Sequence, residues 1–91
     1  MLYIINFDVK DLERKETFLS KVKDLGDNIL YAPNSLFLTY SENEKDKIYR
    51  QLRQSLSDED LLLVSQITNN EISGWLKSSA IKWLKLYQYV K

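Results

Sequence analysis

The hydrophobic pattern of the chain begins with residues 2–9, which are apolar at nearly every position. As a strand, this stretch would carry Tyr3, Ile5, Phe7 and Val9 on one side and Leu2, Ile4, Asn6 and Asp8 on the other. A strand that is apolar on one face and largely apolar on the other belongs in the middle of a sheet. The pattern therefore predicts a central first strand with Asp8 at its carboxyl end.

Two later stretches show the spacing of amphipathic helices. In residues 12–25 apolar side chains recur at intervals of three and four, with Asp11 as the N-cap and Gly26 as the stop. A second helix is expected to run to about residue 56, opened by a capping box of Ser41 and Glu44. Both helices should pack against the sheet through their apolar sides.

The remaining patterns of the first 67 residues indicate strands. Residues 28–40 contain two short β-prone runs around turn formers at 33–35, which predicts a hairpin. A polar break at 57–60, read as a solvated turn, precedes the apolar run 61–67, which suits a strand covered on at least one face. The order βαββαβ predicts an α+β ferredoxin-like domain, with an antiparallel sheet and both helices on one face.

Residues 68–91 form a C-terminal extension of this core, 1–67, within one domain. Ser78 or Ser79 is expected to cap a third helix, and residues 86–90 suit either its continuation or a fifth strand. Aromatic side chains concentrate here, which predicts a segment that covers a partner surface or packs on its own sheet. The candidate interface residues are Trp75, Trp83, Tyr87 and Tyr89.

The amino-acid composition excludes several kinds of catalytic and metal-binding site. The 91 residues include no Cys and no His, which removes thiol and histidine catalysis, catalytic triads and cysteine zinc sites. Any metal would have to be a hard cation held by carboxylates. No basic stretch with an apolar h-region opens the chain, and no apolar run is long enough to span a membrane, so a cytoplasmic protein is expected.

Charge is balanced in total, with 13 basic and 13 acidic residues, but unevenly distributed. No acid follows Glu71, so the last twenty residues carry +4 and residues 1–71 carry 9 − 13 = −4. The lysines of this tail, Lys77, Lys82, Lys85 and Lys91, are candidates for contact with nucleic-acid phosphates. The alternative is that they form an ordinary solvated face.

Asp8 is the candidate catalytic and metal-binding residue. A carboxylate at the end of a central strand lies at the rim of the sheet, where Asp11 could join it. In a two-fold dimer, two copies of Asp8 could share Mg²⁺ or Mn²⁺ for phosphodiester hydrolysis. A homodimer is expected because the second face of the sheet needs cover, with Leu2, Ile4 and the C-terminal aromatics as its apolar surface. The alternative for Asp8 is a structural cap of a turn.

Four stretches carry a family resemblance. Residues 4–9 resemble the opening strand and terminal aspartate of the small CRISPR adaptation nucleases (CRISPR-associated protein two). Residues 60–64, Gly74-Trp75-Leu76 and residues 80–84 are similar to a sister group of bacterial proteins labelled SinR-like. The resemblance implies a ferredoxin-like homodimer in which Asp8 is the proposed metal ligand.

Two functions follow from these observations. The first is a nucleic-acid-binding protein, or a metal-dependent ribonuclease with Asp8 as the ligand. The second is a non-catalytic interaction module, such as a toxin–antitoxin or phage-defence component, whose partner binds the aromatic C-terminal segment. The acidic body around a single carboxylate favours the second function, and the resemblance at Asp8 favours the first.

Overall fold

Seven secondary-structure elements follow one another in the order βαββαβα in the computed structural model, which describes residues 1–41, 44–68 and 74–87. The strands are β1 (Leu2–Asp8), β2 (Asn28–Ala32), β3 (Ser35–Thr39) and β4 (Leu61–Ile67). The helices are α1 (Leu12–Leu25), α2 (Lys45–Arg53) and α3 (Ser78–Leu86). The first six elements confirm the predicted ferredoxin-like plan.

The four strands form one sheet in the order β2-β3-β1-β4, and every neighbouring pair is antiparallel. β1 is central, as its pattern predicts, with β3 on one side and β4 on the other. Asn6 lies opposite Leu63 of β4, and Asp8 lies opposite Leu61. The carboxyl end of β1 is therefore next to the amino end of the edge strand β4.

The first face of the sheet forms the main core with α1 and α2. The strands contribute Tyr3, Ile5, Phe7, Leu36 and Leu38, and the helices contribute Phe18, Val22, Ile48 and Leu52. All are buried, and Phe7 and Phe18 lie with ring centroids 4.9 Å apart. Burying such side chains contributes roughly 1.5–3 kcal/mol each. Both predicted helices thus share one face of the sheet.

The second face is covered over part of its area by α3. Leu84 of this helix packs on Leu2 and Phe37, and all three side chains are buried. Ile4 is partly buried against the same cluster. The expectation that Leu2 and Ile4 remain available as a dimer surface is therefore wrong, because the chain's own third helix occupies that part of the sheet.

Two helix boundaries differ from the predicted ones. α2 begins at Lys45, because the amides of Lys47 and Ile48 donate to the Glu44 carbonyl; Glu44 is the N-cap and Ser41 is not. The helix ends at Arg53, three residues earlier than expected. The amides of Ser55 and Leu56 there donate to carbonyls three residues back, which tightens the last turn.

The C-terminal segment also differs in detail from its prediction. Lys77, not a serine, is the N-cap of α3, since its carbonyl accepts the amides of Ala80 and Ile81. Leu86 is the last helical residue and Tyr87 is the C-cap, so neither belongs to a strand. Residues 88–91, including Tyr89 and Lys91, lie outside the described residues.

Gly26 ends α1 as predicted, but for a steric reason. Its backbone is extended, with φ 174°, which any residue can adopt. A Cβ atom at this position would overlap the carbonyl oxygen of Thr39. Glycine is needed here because the end of α1 approaches the backbone of β3 directly.

Candidate functional site

The part of the second sheet face that α3 leaves uncovered contains Asp8. A groove of about 450 Å³ lies at the carboxyl end of β1. We call this region the open half of the sheet and define it by Asn6, Asp8, Ser35, Leu61 and Leu63. No element in the described ranges covers it. The open half thus combines polar groups on β1 and β3 with apolar side chains on β4.

Within the groove, the polar groups are already paired. The Asp8 carboxylate accepts a hydrogen bond from Lys10 Nζ at 2.7 Å, and the two side chains are 41% and 53% exposed. This bond raises the pKa of Lys10. The Ser35 hydroxyl donates to Asn6 Oδ1 at 2.6 Å. A surface pair such as Asp8–Lys10 exchanges readily with solvent and contributes little stability.

The two acids predicted to meet at the β1–α1 turn have different tasks. Asp11 caps α1, and its carboxylate accepts the Arg14 amide at 3.0 Å. Asp8 faces the groove and is paired with Lys10. Among the described residues, no group of three or more acids could hold a metal ion. Asp8 therefore belongs to no such cluster in the part of the chain that the structure describes.

Asp60 has a structural role that the sequence pattern at 57–60 does not indicate. Its side chain is completely covered and accepts both Arg14 Nε at 2.9 Å and Arg14 Nη2 at 3.0 Å. The amides of Lys10 and Ser57 also donate to it, each at 2.9 Å. The Arg14 hydrogen bond holds the pKa of Asp60 well below its usual range. The turn at 57–60 is exposed to solvent at Asp58 and Glu59 as predicted, whereas the Asp60 side chain is covered and joins the start of β4 to α1.

The predicted aromatic interface divides into two environments. Trp83 stacks on Phe37 with centroids 6.4 Å apart and contacts Tyr87 at 4.9 Å. The Tyr87 hydroxyl donates to the Asp27 carboxylate, which raises the pKa of Tyr87. Trp75, in contrast, is 100% exposed. Trp83 and Tyr87 therefore serve their own domain, and Trp75 is the described member whose side chain is fully open to solvent.

The three described lysines of the basic tail are all exposed. Lys82 and Lys85 lie on α3, and Lys77 is its N-cap. None of them has an ion-pair partner among the described residues. They are not brought near Asp8, because α3 packs over the other half of the sheet.

Leu61 and Leu63 are exposed residues that the sequence analysis did not single out. They are 65% and 60% exposed, although β4 reads as a continuous apolar run. Leu62 and Val64, on the other side of the strand, pack against the main core. The register signal was present, since alternate residues of a strand point to opposite faces. Which half of the second face α3 would cover was not visible in the sequence.

Comparisons with known proteins establish the fold. No protein-family model matches the chain, and no curated protein matches it. Among solved structures it is similar to the hypothetical protein TT1823 from Thermus thermophilus, with a TM-score of 0.63 and 19% identity. The similarity covers 84% of this chain and 93% of that one. At this identity the similarity supports the α+β architecture alone.

Membrane insertion through a helix finds no support in the described ranges. None of the three helices there is long and apolar enough to cross a bilayer. The longest, α1, has 14 residues and carries charges along its length.

Proposed function

We propose that this chain is a non-catalytic interaction module that assembles as a homodimer through β4 and the open half of the sheet. The observation that carries the proposal is the character of β4, an edge strand with no charged residue and two exposed leucines, Leu61 and Leu63. No described strand pairs with its outer side.

Folded monomers rarely leave a regular sheet edge unprotected. An edge strand presents unpaired backbone groups, and monomers normally protect it with lysines, proline, bulges or a covering element. β4 has no Pro or charge, and its pairing with β1 is regular throughout. Two copies of β4 related by a two-fold axis would pair antiparallel, which is the mode of every pairing in this sheet. Side chains on the same face of paired strands contact one another, so pairing would also cover part of each leucine.

The proposed contact surface, β4 with the open half, differs from the C-terminal aromatic segment predicted from the sequence. Trp83 and Tyr87 are engaged within their own domain, whereas Leu61 and Leu63 are exposed and adjacent to the groove. The resemblance to CRISPR adaptation nucleases and SinR-like proteins agrees with a homodimer. A role as a toxin–antitoxin or phage-defence component remains a prediction from sequence.

Sedimentation equilibrium of wild type, Leu63→Glu and Leu12→Glu tests the assembly. Wild-type protein at tens of micromolar should sediment as a dimer, at twice the chain mass of 10.8 kDa. Leu63→Glu should shift it to the monomer, because the substitution places a charged side chain in an apolar contact between the two copies. Leu12→Glu is the matched control, since Leu12 is 71% exposed at the start of α1 and a glutamate there suits the helix dipole.

The control should remain a dimer with wild-type helicity by circular dichroism. A wild-type monomer near 10.8 kDa at these concentrations would contradict the proposal. So would a Leu63→Glu variant that still dimerises, since the contact would then lie elsewhere on the molecule.

A metal-dependent nuclease is the second candidate, and the position of Asp8 supports it. Asp8 lies in the groove that Leu61 and Leu63 line, so two sheets packed face to face through their open halves would bring two copies of Asp8 to one interface. Antiparallel pairing of two β4 edges would instead separate them, because Asp8 lies beside the amino end of β4. The carboxylates of the two copies could then bind one ion together with water or substrate phosphates. Lys10 would also have to release the Asp8 carboxylate.

Cleavage assays separate this candidate from the interaction module. If it is correct, wild-type protein should cleave RNA or duplex DNA with Mg²⁺ or Mn²⁺, and chelator should stop the reaction. Asp8→Asn should abolish cleavage and change stability by less than about 1–2 kcal/mol. Asp11→Asn is the control, because asparagine caps a helix as well as aspartate does. Purified wild-type protein with no chelator-sensitive cleavage would exclude the nuclease and leave the interaction module.

A further inference from the structure

The solvent side of α3 carries only positive charge. Ala80 and Leu84 are buried against the sheet, and Ser78, Lys82 and Lys85 project from the opposite side of the helix. Lys82 and Lys85 are three residues apart, so their Cβ atoms lie about 5–6 Å from each other. No acidic residue occurs between 74 and 87. The two ammonium groups therefore repel each other without compensation from this segment.

The charges of α3 also run against the pattern of the other two helices. Both α1 and α2 have an acid in the first turn, Glu13 and Asp46 respectively, where the helix dipole favours negative charge. α3 has no acid there, and its N-cap is Lys77, whose side chain makes no capping bond. A lysine at this end is unfavourable for the helix itself. An anionic ligand would reverse that penalty.

Trp75 adds an uncovered aromatic ring to this positive surface. It precedes Lys77 by two residues and is fully exposed, whereas Trp83 is packed on Phe37. A tryptophan offers about 150–250 Å² of surface for burial, so complete exposure leaves a large apolar area in water. Both faces of the indole are accessible to a flat ligand.

We propose that Trp75, Lys77, Lys82 and Lys85, together the α3 basic face, bind single-stranded nucleic acid. The lysines contact consecutive backbone phosphates, and an unstacked base packs on Trp75. A positive track beside an exposed aromatic ring is the arrangement with which proteins hold single strands without reading their sequence. Duplex DNA would meet the lysines but keeps its bases stacked and away from the ring.

Two other partners fit this surface less well. A helix that binds a membrane surface inserts its apolar side, and the apolar side of α3 is already buried on Leu2 and Phe37. An acidic protein would be attracted by the lysines, but the hot spots of protein interfaces lie in well-packed pockets surrounded by contacts that exclude water. The exposed neighbours of Trp75 include Gly74, Lys77 and Ser78.

Fluorescence anisotropy with a labelled oligothymidylate of about 15 nucleotides tests the proposal, in chelator so that Asp8 and metal play no part. For wild-type protein, a plot of log K against the logarithm of the salt concentration should have a slope of about −2, the value for three phosphate contacts on a single strand. Lys82→Gln/Lys85→Gln should reduce the slope to about −0.7. Trp75→Ala should weaken binding about 5- to 150-fold with little change in slope. An abasic strand of equal length should lose the contribution of Trp75.

The matched control is Lys23→Gln/Lys45→Gln, which removes two exposed lysines on other elements. Its net charge equals that of the Lys82→Gln/Lys85→Gln variant. It should bind like wild type, and circular dichroism should confirm that all variants are folded. Failure of wild type to bind the strand at low salt would overturn the proposal. Equal binding of duplex DNA, polyglutamate or anionic vesicles, unaffected by Trp75→Ala, would also overturn it and indicate general attraction of anions.

Discussion

Two aspartates near the same end of the sheet, Asp8 and Asp60, have opposite surroundings. Asp8 is 41% exposed and holds one flexible partner, the Lys10 ammonium. Asp60 is completely covered and receives donors from Arg14, Ser57 and the Lys10 amide. Residue 10 thus contacts both acids, through its side chain and its backbone respectively. The exposed carboxylate could exchange Lys10 for a ligand, and the covered one stabilises the contact between β4 and α1.

The depressed pKa of Asp60 makes stability depend on pH. A carboxyl whose pKa falls on folding stabilises the fold above its unfolded value of about 4, and this contribution is lost as the pH falls below it. Asp60→Asn should therefore lower the Tm at pH 7, and its difference from wild type should shrink as the solution is acidified. Thermal melts from pH 7 to pH 2 measure both effects.

Asp58→Asn is the control for this measurement, because the Asp58 side chain is fully exposed and pairs only with Arg53 among the described residues. Its melting curve should follow wild type across the pH range. A constant difference between Asp60→Asn and wild type down to pH 2 would contradict the assigned role of Asp60.

At the scale of elements, α3 gives the sheet a second core. Leu84 is fully buried between Leu2 and Phe37, so Leu84→Ala should lower the free energy of unfolding by about 2–5 kcal/mol. Leu86→Ala removes the same atoms from a side chain that is 75% exposed, and should have little effect. Urea unfolding of both variants checks this. Equal effects of the two substitutions would mean that α3 does not pack on the sheet in solution.

A helix or strand can be predicted from sequence when the pattern that specifies it lies within the segment itself. The alternation in β1 and the helical period of α1 specify those elements and their buried sides. The turn formers at 33–35 likewise locate the hairpin. The position of α3 depends on which part of the sheet its apolar side covers, and no local pattern encodes that choice. For the same reason, Leu2 was expected at a dimer contact and is buried by its own chain.

The candidate site was predictable only in part. The place of Asp8 follows from strand length, because a residue that ends a central strand must lie at the rim of the sheet. Its pairing with Lys10, two residues along the chain, depends on side-chain conformation rather than on a sequence pattern. The hydrogen bonds from Arg14 to Asp60 join side chains with a sequence separation of 46. Exposure of Leu61 and Leu63 depends in turn on the area that α3 leaves open.

At the scale of the whole molecule, the two faces of the sheet and the solvent side of α3 have different roles. The first face of the sheet is closed by α1 and α2, and the second is closed in part by α3. The open half and the free edge of β4 form the proposed contact between two copies. The α3 basic face lies on the outside of the helix that closes the second face. The two proposed surfaces share no residue.

Hydrogen exchange at the β4 amides tests the proposed homodimer most directly. In a monomer, the outward amides of residues 61–67 are unpaired and exchange quickly, whereas pairing with a second β4 protects them. The account predicts that exchange in this strand slows as the protein concentration rises, that Leu63→Glu removes the effect, and that α3 shows no such dependence. Exchange at β4 that is the same at every concentration across the range where sedimentation detects dimers would contradict it.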